Sequence, residues 1–385
     1  MQRVLIYSIL LLVGMGLSQL PSLPALSQLI STLTIIFLAY IMTQVGMEFD
    51  IDKSRLYQYA VDYLVAMGAA AIPWLFAAGY FWWVFGLGVN EALLVGRFAA
   101  PTSAGILFAM LAAAGLSATW VYRKARVLAI FDDLDTILLM IPLKMLLIGF
   151  VPKLLLLAVV ILGLLAAAYF CIHWLRVPTN NAWVAVYAIA VWAAAYAFDY
   201  ITDLHLEVLL PAFALGCIIK SDHLHGSAEF SPGGRPPREP EPRWERILDS
   251  GIKGGFMLLA GMALPPVHLS SMGLGAIVLH VVLITLLSNV GKCLPVTAYG
   301  KEATVRQRLA LSLGMFPRGE VGIGVLLVSL DLFRQKGVLH MQGVQESITL
   351  AGLSLALNLA LTGLFIIGVI RLLERPSIRK ETTSR

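Results

Sequence analysis

Long apolar runs recur along the chain at short intervals. A bilayer is crossed by about 20 consecutive apolar residues in a helix, and the run from Val4 to Leu20 is typical of those found almost to the C-terminus. Of the 385 residues, 59% are hydrophobic and 13% are charged, against roughly 45–50% and about 25% in soluble domains. This excess is too large for one water-soluble core. Because the runs are continuous and not alternating, a membrane β-barrel is also excluded, and the sequence predicts an all-α polytopic membrane protein.

Twelve candidate spans follow from the hydropathy of the chain, with boundaries uncertain by several residues. The first run lacks a following A-x-A-like cleavage site, so we expect a span there and not a removable signal peptide. The spans lie near residues 4–20, 28–47, 60–86, 92–116, 125–148, 153–175, 182–198, 205–220, 251–264, 272–296, 307–330 and 347–372. The long connection 221–250 contains SPGGRPPREPEPR and is predicted to be a flexible cytoplasmic loop.

The distribution of Lys and Arg orients these spans. Most basic residues fall on one side, whereas only Lys153, Arg334 and Lys336 fall on the other. The positive-inside rule therefore places both termini in the cytoplasm. We expect a multi-pass protein of a cell membrane, in particular a bacterial inner membrane. The net charge of +5 then reflects topology, and no nucleic-acid partner is expected.

Several charged residues lie deep inside otherwise apolar spans. Ionisable groups at membrane depth are costly and mark ion or proton pathways. The deep charges are Arg97, Asp132, Asp133, Asp135, Lys292, Arg318 and Glu320. These residues form the candidate site.

Two spans also carry a proline in mid-helix, Pro101 in GRFAAPTSAG and Pro317 in GMFPRGEVG. Proline frees a backbone carbonyl, which a membrane tolerates only where protein or a water-lined cavity supplies a partner. The breaks are seven spans apart, so the two helices run in opposite directions. Matching interruptions in opposed spans indicate an inverted-repeat transporter with a midplane ion site. The alternative is a pair of kinked packing helices without such a role.

The acid pair and Lys292 are predicted to lie at a similar depth in the membrane. Counted from Arg126 at 1.5 Å per residue, Asp133 lies about 10 Å into the membrane, and Lys292 lies roughly 13 Å in from Lys301. An isolated carboxylate in hydrocarbon is costly and takes up a proton instead. Two adjacent carboxylates facing one lysine are predicted to form a partly compensated site that binds protons.

Four motifs now resemble those of a known family. They are VGMEFD at 45–50, APTSAG at 100–105, the acid pair in AIFDD, and MFPRGEVG at 315–322, with NVGK ending at Lys292 as a fifth. In this order and spacing the chain resembles the monovalent cation/proton antiporters, specifically the branch of bacterial Na+/H+ antiporters and K+ efflux systems. The resemblance extends from the second span to the C-terminus.

The resemblance implies a role for each site residue. Asp133 corresponds to the carboxylate that binds either a proton or an alkali cation, and Asp132 to the acid that pairs with Lys292 when the site is empty. Thr102 and Ser103 would offer oxygen atoms to the cation. Arg318 and Glu320 would be structural charges at the second break. No catalytic residue or cofactor is expected, and Asp133 would bind no metal other than an alkali cation.

The resemblance also implies an arrangement of the spans. The fold would be the sodium/proton antiporter fold, with inverted five-helix repeats and two broken crossing helices. Scaffold helices at about 1–56 and 205–270 would form a homodimer within the lipid. An ion-transporting core at about 57–149 and 272–372 would move against them, and 150–204 would supply linker helices. The partners are Na+, or K+ or Li+, and H+.

Some residues depart from the family pattern. Arg97 stands where relatives have a small or neutral residue, and Asp135 adds a third acid. We hypothesise that Arg97 balances Asp135 or Glu320. Several relatives have thirteen spans, one more than is counted here.

Three other activities compete with Na+/H+ exchange. A K+/H+ exchanger or K+ efflux system is the nearest alternative. A channel or a sensor that retains the fold is less favoured. An intramembrane aspartyl protease would need a GxGD motif, and a zinc protease would need HExxH; neither occurs in the sequence, so an enzyme is not expected.

Overall fold

The computed structural model describes the chain from residue 2 to residue 374 with several gaps. The described residues are 2–19, 26–47, 56–103, 107, 111, 116, 119–139, 143, 152–171, 174–202, 208–219, 242–264 and 273–374. Throughout this part of the chain the regular structure is helical, with one isolated bridge between Leu175 and Ile219. The predicted all-α class is therefore confirmed. Most of the predicted loop 221–250 lies outside the described residues.

The first half of the chain forms seven α-helices within the described residues. They are α1 (Gln2–Leu17), α2 (Ser27–Met47), α3 (Leu56–Phe85), α4 (Val89–Gly96), α5 (Trp120–Leu138), α6 (Pro152–Phe170) and α7 (Asn181–Thr202). A 3₁₀ turn, Arg97–Ala99, continues α4 up to its break.

The second half forms seven further described helices, two of which are short pieces of longer spans. They are α8 (Leu209–Ile218), α9 (Arg243–Ala263), α10 (Leu274–Gly291), α11 (Leu294–Ala298), α12 (Val305–Gly314), α13 (Glu320–Gln335) and α14 (Gln342–Glu374). The chain is not helical between α12 and α13, where Pro317 lies. The predicted tenth span is itself divided, because α10 ends just before Lys292.

Five of the described spans are long and apolar enough to cross a bilayer. They are Ser27–Met47, Gln58–Phe85, Asn181–Thr202, Leu274–Ala298 and Gly343–Leu373. The predicted spans that carry the acid pair, the breaks or the charged start of α9 do not pass this criterion, because charges or irregular backbone interrupt them. A multi-pass membrane protein follows from these helices.

One predicted boundary is wrong. The loop was expected to extend to residue 250, but α9 begins at Arg243. The carbonyl oxygen of Pro242 accepts hydrogen bonds from the amides of Glu245 and Arg246, which starts the helix. The segment RWERILDSGI places Leu248 and Ile252 on the buried side of an amphipathic helix. Its charged residues lower the mean hydropathy, so a hydropathy scan does not detect this helix.

Two glycine contacts recur in the two halves of the chain. A Cβ atom built on Gly14 of α1 would lie 2.2 Å from the carbonyl oxygen of Leu258 in α9, and one built on Gly216 of α8 would lie 2.2 Å from that of Thr43 in α2. In each case the contacted carbonyl is three residues before a glycine of the partner helix, Gly261 or Gly46. Counting seven spans onward from α1 leads to α8, and counting seven onward from α2 leads to α9. The pair α1–α9 therefore corresponds to the pair α8–α2. The two halves therefore repeat the same packing.

The helices pack in two groups that meet along α13 and α14. One group contains α1, α2, α7, α8 and α9, and the other contains α3, α4, α5, α10, α12, α13 and α14. Contacts of α2 and α9 with α13, and of α1 with α14, join the groups. Both broken spans and the acid-bearing helix α5 belong to the second group, so the candidate site lies within it.

Candidate ion-binding site

The two helix breaks lie against each other. The amide of Ser103 in the first break donates a hydrogen bond of 2.8 Å to the carbonyl oxygen of Pro317 in the second. In return, Nε of Arg318 donates to the carbonyl oxygen of Ala99 over 2.9 Å. Each break thus donates a hydrogen bond to a backbone carbonyl oxygen of the other. Such partners are required wherever irregular backbone lies at membrane depth.

Asp132 lies at the centre of the crossing and is fully buried. Its Oδ2 accepts hydrogen bonds from Nζ of Lys292 at 2.5 Å and from Oγ1 of Thr102 at 2.6 Å. Lys292 also donates to the carbonyl oxygen of Ala100. Within the described part of the chain, Oδ1 of Asp132 has no hydrogen-bond partner. The site therefore contains an ion pair in which one oxygen of the Asp132 carboxylate is available to accept a further contact.

Asp133 follows on the same helix and is also fully buried. Its carboxylate attracts the ammonium group of Lys292 electrostatically. Thr102 and Ser103, both buried, come from the first break. The structure therefore brings the four predicted residues of the binding site and their charge partner, Lys292, into one buried region.

Arg318 is held by a set of neutral acceptors. Besides Ala99, its Nη1 donates to Oδ1 of Asn289 over 2.7 Å and its Nη2 to the carbonyl oxygen of Ser288 over 2.8 Å. The amide of Arg318 donates to Oδ1 of Asn358, whose Nδ2 donates to Asn289. These contacts join the second break to α10 and α14. We call this group of residues the Arg318 clamp.

The sequence prediction missed the two amides of the clamp. Asn289 precedes Lys292 by three positions and Asn358 interrupts the apolar run LALNLAL. A single amide within an apolar span was the available signal, since a buried polar side chain needs a partner. The sequence alone does not identify Arg318 as that partner, because the residues are far apart along the chain.

Arg97 reaches the acid-bearing helix. It is buried, and its Nη2 donates to the carbonyl oxygen of Thr136 over 3.2 Å. The hypothesis that Arg97 balances Asp135 or Glu320 stays a prediction. The other hypothesised partner, Glu320, is the first residue of α13, and its side chain lies outside the description.

A second buried charge cluster lies near the start of α5. Nζ of Lys124 lies 2.7 Å from Oδ1 of Asp62 in α3 and 3.1 Å from Glu302. The Tyr299 hydroxyl donates to the same oxygen of Asp62 over 2.8 Å. Burial, reinforced by the charge of Asp62, raises the pKa of Tyr299, so this hydroxyl remains a neutral donor. The cluster ties α3, α5 and the α11–α12 connection together.

A groove separates the two groups of helices near the C-terminal end of α13. Its apolar walls include Leu38 of α2, Leu209 of α8 and Leu327 of α13, and Asp331 and Arg334 stand on its rim. The guanidinium of Arg334 contacts Asp331 at 3.0 Å and the carbonyl oxygen of Ala263 in α9 at 3.3 Å. The groove follows the boundary between the groups.

Two unwound, oppositely directed spans that cross beside a buried Asp–Lys pair define a class of protein, the inverted-repeat secondary transporters. Residues 3–372 match the family described as sodium/hydrogen exchanger, transmembrane. The chain belongs to this family. It is therefore a cation/proton antiporter of a transporter family and not of an enzyme family.

Solved structures show the same fold. The sodium proton antiporter MjNhaP1 from Methanocaldococcus jannaschii at pH 8 is similar with a TM-score of 0.65 and 15% identity, over 92% of each chain. A second structure of that antiporter, from a three-dimensional electron-microscopy map, gives a TM-score of 0.59 and 15% identity over 96% of this chain and 92% of the other. No curated protein sequence matches the chain. The predicted antiporter fold is confirmed.

Proposed function

We propose that the protein exchanges Na+ for protons by alternating access, with the two ions competing for Asp133. The observation that carries the proposal is the buried acid pair of α5, which lies with Lys292 at the crossing of two helix breaks. No covalent chemistry is needed for such an exchange.

The donors at the crossing suit an alkali cation. Hard cations prefer oxygen ligands. Oδ2 of Asp132 accepts a hydrogen bond from the hydroxyl of Thr102, and their chain neighbours Asp133 and Ser103 are buried as well. The unpartnered Oδ1 of Asp132 is one available ligand. Backbone carbonyls released by the breaks at Pro101 and Pro317 add further oxygens.

Competition follows from the cost of burying charge. A carboxylate in the membrane interior is stabilised by a cation or neutralised by a proton, so Asp133 holds one or the other. When a cation engages Asp132, the ammonium of Lys292 loses its partner. Lys292 then becomes a source of a proton.

The two groups of helices provide the moving parts of this proposal. We assign the group of α1, α2, α8 and α9 to a scaffold that forms a homodimer in the lipid, and the group with the crossing to a core that moves against it. The groove along α2 and α13 would give access from one side. With both termini in the cytoplasm of a bacterial inner membrane, this groove would face outward, because α13 runs away from the cytoplasm.

The test is exchange by purified protein in proteoliposomes with an imposed pH gradient. We expect saturable proton flux driven by Na+ or Li+ and less by K+; preference for K+ would instead assign a K+/H+ exchanger. Conductance without coupling would indicate a channel and contradict the proposal.

The key variant is Asp133→Asn, which keeps the side-chain volume and removes the charge. We expect exchange to be lost while expression and thermal stability persist. Glu91→Gln, in the first turn of α4 and in the same span as the first break, is the matched control and should exchange normally. Na+-driven proton movement at the unmodified rate in Asp133→Asn would refute the role of Asp133.

A further inference from the structure

The helix that carries Lys292 changes its hydrogen bonding at the lysine, between α10 and α11. In a regular α-helix the amide of Lys292 would donate to the carbonyl oxygen of Ser288. It donates instead to the carbonyl oxygen of Asn289 over 3.0 Å, and the amide of Cys293 donates to that of Val290 over 3.0 Å. The helix therefore tightens to a 3₁₀ turn at the lysine, a feature that in mid-helix often marks a functional position.

The tightened turn links the lysine to both helix breaks. Because the amide of Lys292 does not use it, the carbonyl oxygen of Ser288 accepts a hydrogen bond from Nη2 of Arg318 over 2.8 Å. The side chain of Lys292 meanwhile donates to the carbonyl oxygen of Ala100 in the first break and to Oδ2 of Asp132. A small displacement of the turn would therefore disturb the contacts of both breaks and of the ion pair.

Helix α3 contacts the chain on both sides of this turn. A Cβ atom built on Gly291, the residue before Lys292, would lie 2.6 Å from the backbone nitrogen of Pro73 and 2.6 Å from its Cα atom. On the other side of the turn, Leu294 packs so closely on Gly68 that a Cβ atom built on this glycine would overlap the end of the leucine side chain. The turn is thus placed against α3 before and after the lysine.

The contact between Gly291 and Pro73 has little freedom to adjust. Pro73 is buried inside α3, its ring fixes φ, and the atoms that face Gly291 belong mainly to the backbone. A flexible side chain could move aside, whereas the backbone within a helix cannot. Glycines also serve general close packing of helices in membranes, as Gly14 does in α1. Gly291 differs because the next residue carries the ammonium group of the site.

We propose that Gly291 and Pro73 are positioning residues that fix Lys292 against Asp132, and that α3 thereby sets how strongly the lysine competes with a cation. Moving the turn away from α3 would lengthen the contact of 2.5 Å between Nζ of Lys292 and Oδ2 of Asp132. In the proposed exchange a cation at Asp132 displaces Lys292, so a weaker ion pair favours the cation. This consequence rests on the proposed function, whereas the positioning of the lysine does not.

A double-mutant cycle tests the positioning without relying on exchange. Thermal unfolding is measured in detergent, with choline salts only, for the unmodified protein, Asp132→Asn, Gly291→Ala and the double variant. Asp132→Asn leaves a buried lysine without its partner and should lower the unfolding temperature. When Gly291→Ala has already weakened the pair, the further decrease should be at most about half as large. Additive decreases would overturn the inference.

Gly14→Ala is the matched control for the cycle, because a Cβ atom there meets backbone of α9 in the other group of helices. It should lower the unfolding temperature itself, but Asp132→Asn should have its full effect in this background. If Gly14→Ala reduced the effect of Asp132→Asn as much as Gly291→Ala does, the specific role of Gly291 would be refuted.

Pro73→Ala changes the same contact from the side of α3 and replaces Gly291→Ala if that variant fails to fold. It removes the ring and restores the missing amide hydrogen, so the backbone of α3 shifts where Gly291 packs. The effect of Asp132→Asn should again be smaller than in the unmodified protein. A full effect in folded Pro73→Ala would contradict the positioning by α3.

Exchange kinetics test the consequence for the cation. In proteoliposomes, at the pH where the unmodified protein exchanges fastest, Gly291→Ala should lower the apparent KM for Na+ about fivefold, since a weakened charged hydrogen bond opposes the cation less. Gly14→Ala should leave the KM unchanged. An unchanged KM in Gly291→Ala, together with a reduced effect in the cycle, would refute competition by Lys292 but not its positioning. Absence of Na+-driven proton flux in the unmodified protein would overturn the proposed function.

Discussion

Arg318 and Lys292 are both fully buried cations, yet their partners differ in kind. Lys292 binds Asp132, whose carboxylate would be neutralised by a proton or paired with a cation in the proposed exchange. Each guanidinium nitrogen of Arg318 donates to a neutral oxygen, so its contacts do not depend on what the site holds. We infer that Lys292 takes part in the exchange, whereas Arg318 is a fixed charge that holds the second break in place.

The Arg318 clamp gives a prediction for stability. Asn289→Ala removes the acceptor of a buried cation and should lower the free energy of unfolding by about 1.5–3 kcal/mol. Thermal unfolding in detergent measures the loss. Ser329→Ala is the control, because it removes a buried hydroxyl bonded to the carbonyl oxygens of Leu94 and Val325 and should cost only about 1 kcal/mol. Equal losses would show that the charge of Arg318 adds nothing to the clamp.

At the scale of the helix, the repeated glycine contacts allow two pairs of helices to pack closely. Gly14 and Gly46 each lie where a side chain would meet a carbonyl oxygen of the partner helix. Small residues allow helix backbones to approach closely in membranes, where packing must supply the attraction that water supplies elsewhere. The two contacts hold α1 to α9 and α2 to α8 in the same manner.

Substituting these glycines tests whether the contacts matter. Gly14→Ala and Gly46→Ala should each separate a helix pair and lower the free energy of unfolding by about 1–3 kcal/mol. Gly16→Ala is a matched control on α1, because no atom lies within 4 Å of a Cβ built there. The measurement is again thermal unfolding in detergent. If Gly16→Ala lowered the free energy of unfolding as much as Gly14→Ala does, the loss could not be attributed to the contact between helices.

The depth of charged residues in the predicted spans and the positions of the two prolines predict much of how the helices are arranged. Counting residues from the cytoplasmic side puts Asp132 and Lys292 at one level, and the ion pair is present in the structure. The clamp amides Asn289 and Asn358 could not be found in that way, because their partners come from helices whose rotation about their axes is set only by packing. The start of α9 was missed since charged residues at a membrane surface resemble a loop in hydropathy.

At the scale of the molecule, the boundary between the two groups of helices decides whether alternating access is possible. Leu38 of α2 packs on Gly324 of α13 across that boundary, whereas Leu10 of α1 packs on Gly254 of α9 within one group. Motion of the core against the scaffold would change the first contact and keep the second.

Cross-linking tests that motion. In a variant with Cys171, Cys217 and Cys293 replaced by serine, oxidation of the pair Leu38→Cys and Gly324→Cys should abolish exchange, and a reductant should restore it. The control pair, Leu10→Cys and Gly254→Cys, should tolerate oxidation. Exchange is measured in proteoliposomes, and disulfide formation by mobility on a gel. Undiminished exchange by the fully oxidised first pair would exclude sliding at this boundary.

The mutual bonding of the breaks bears on how the protein is made. The amide of Ser103 donates to the carbonyl oxygen of Pro317, a residue that joins the growing chain only long after the first break has been made. Until then the newly synthesised first half holds exposed polar backbone that lipid cannot satisfy. Its unfinished span must therefore stay beside the translocon, or in contact with water, while the second half is still on the ribosome.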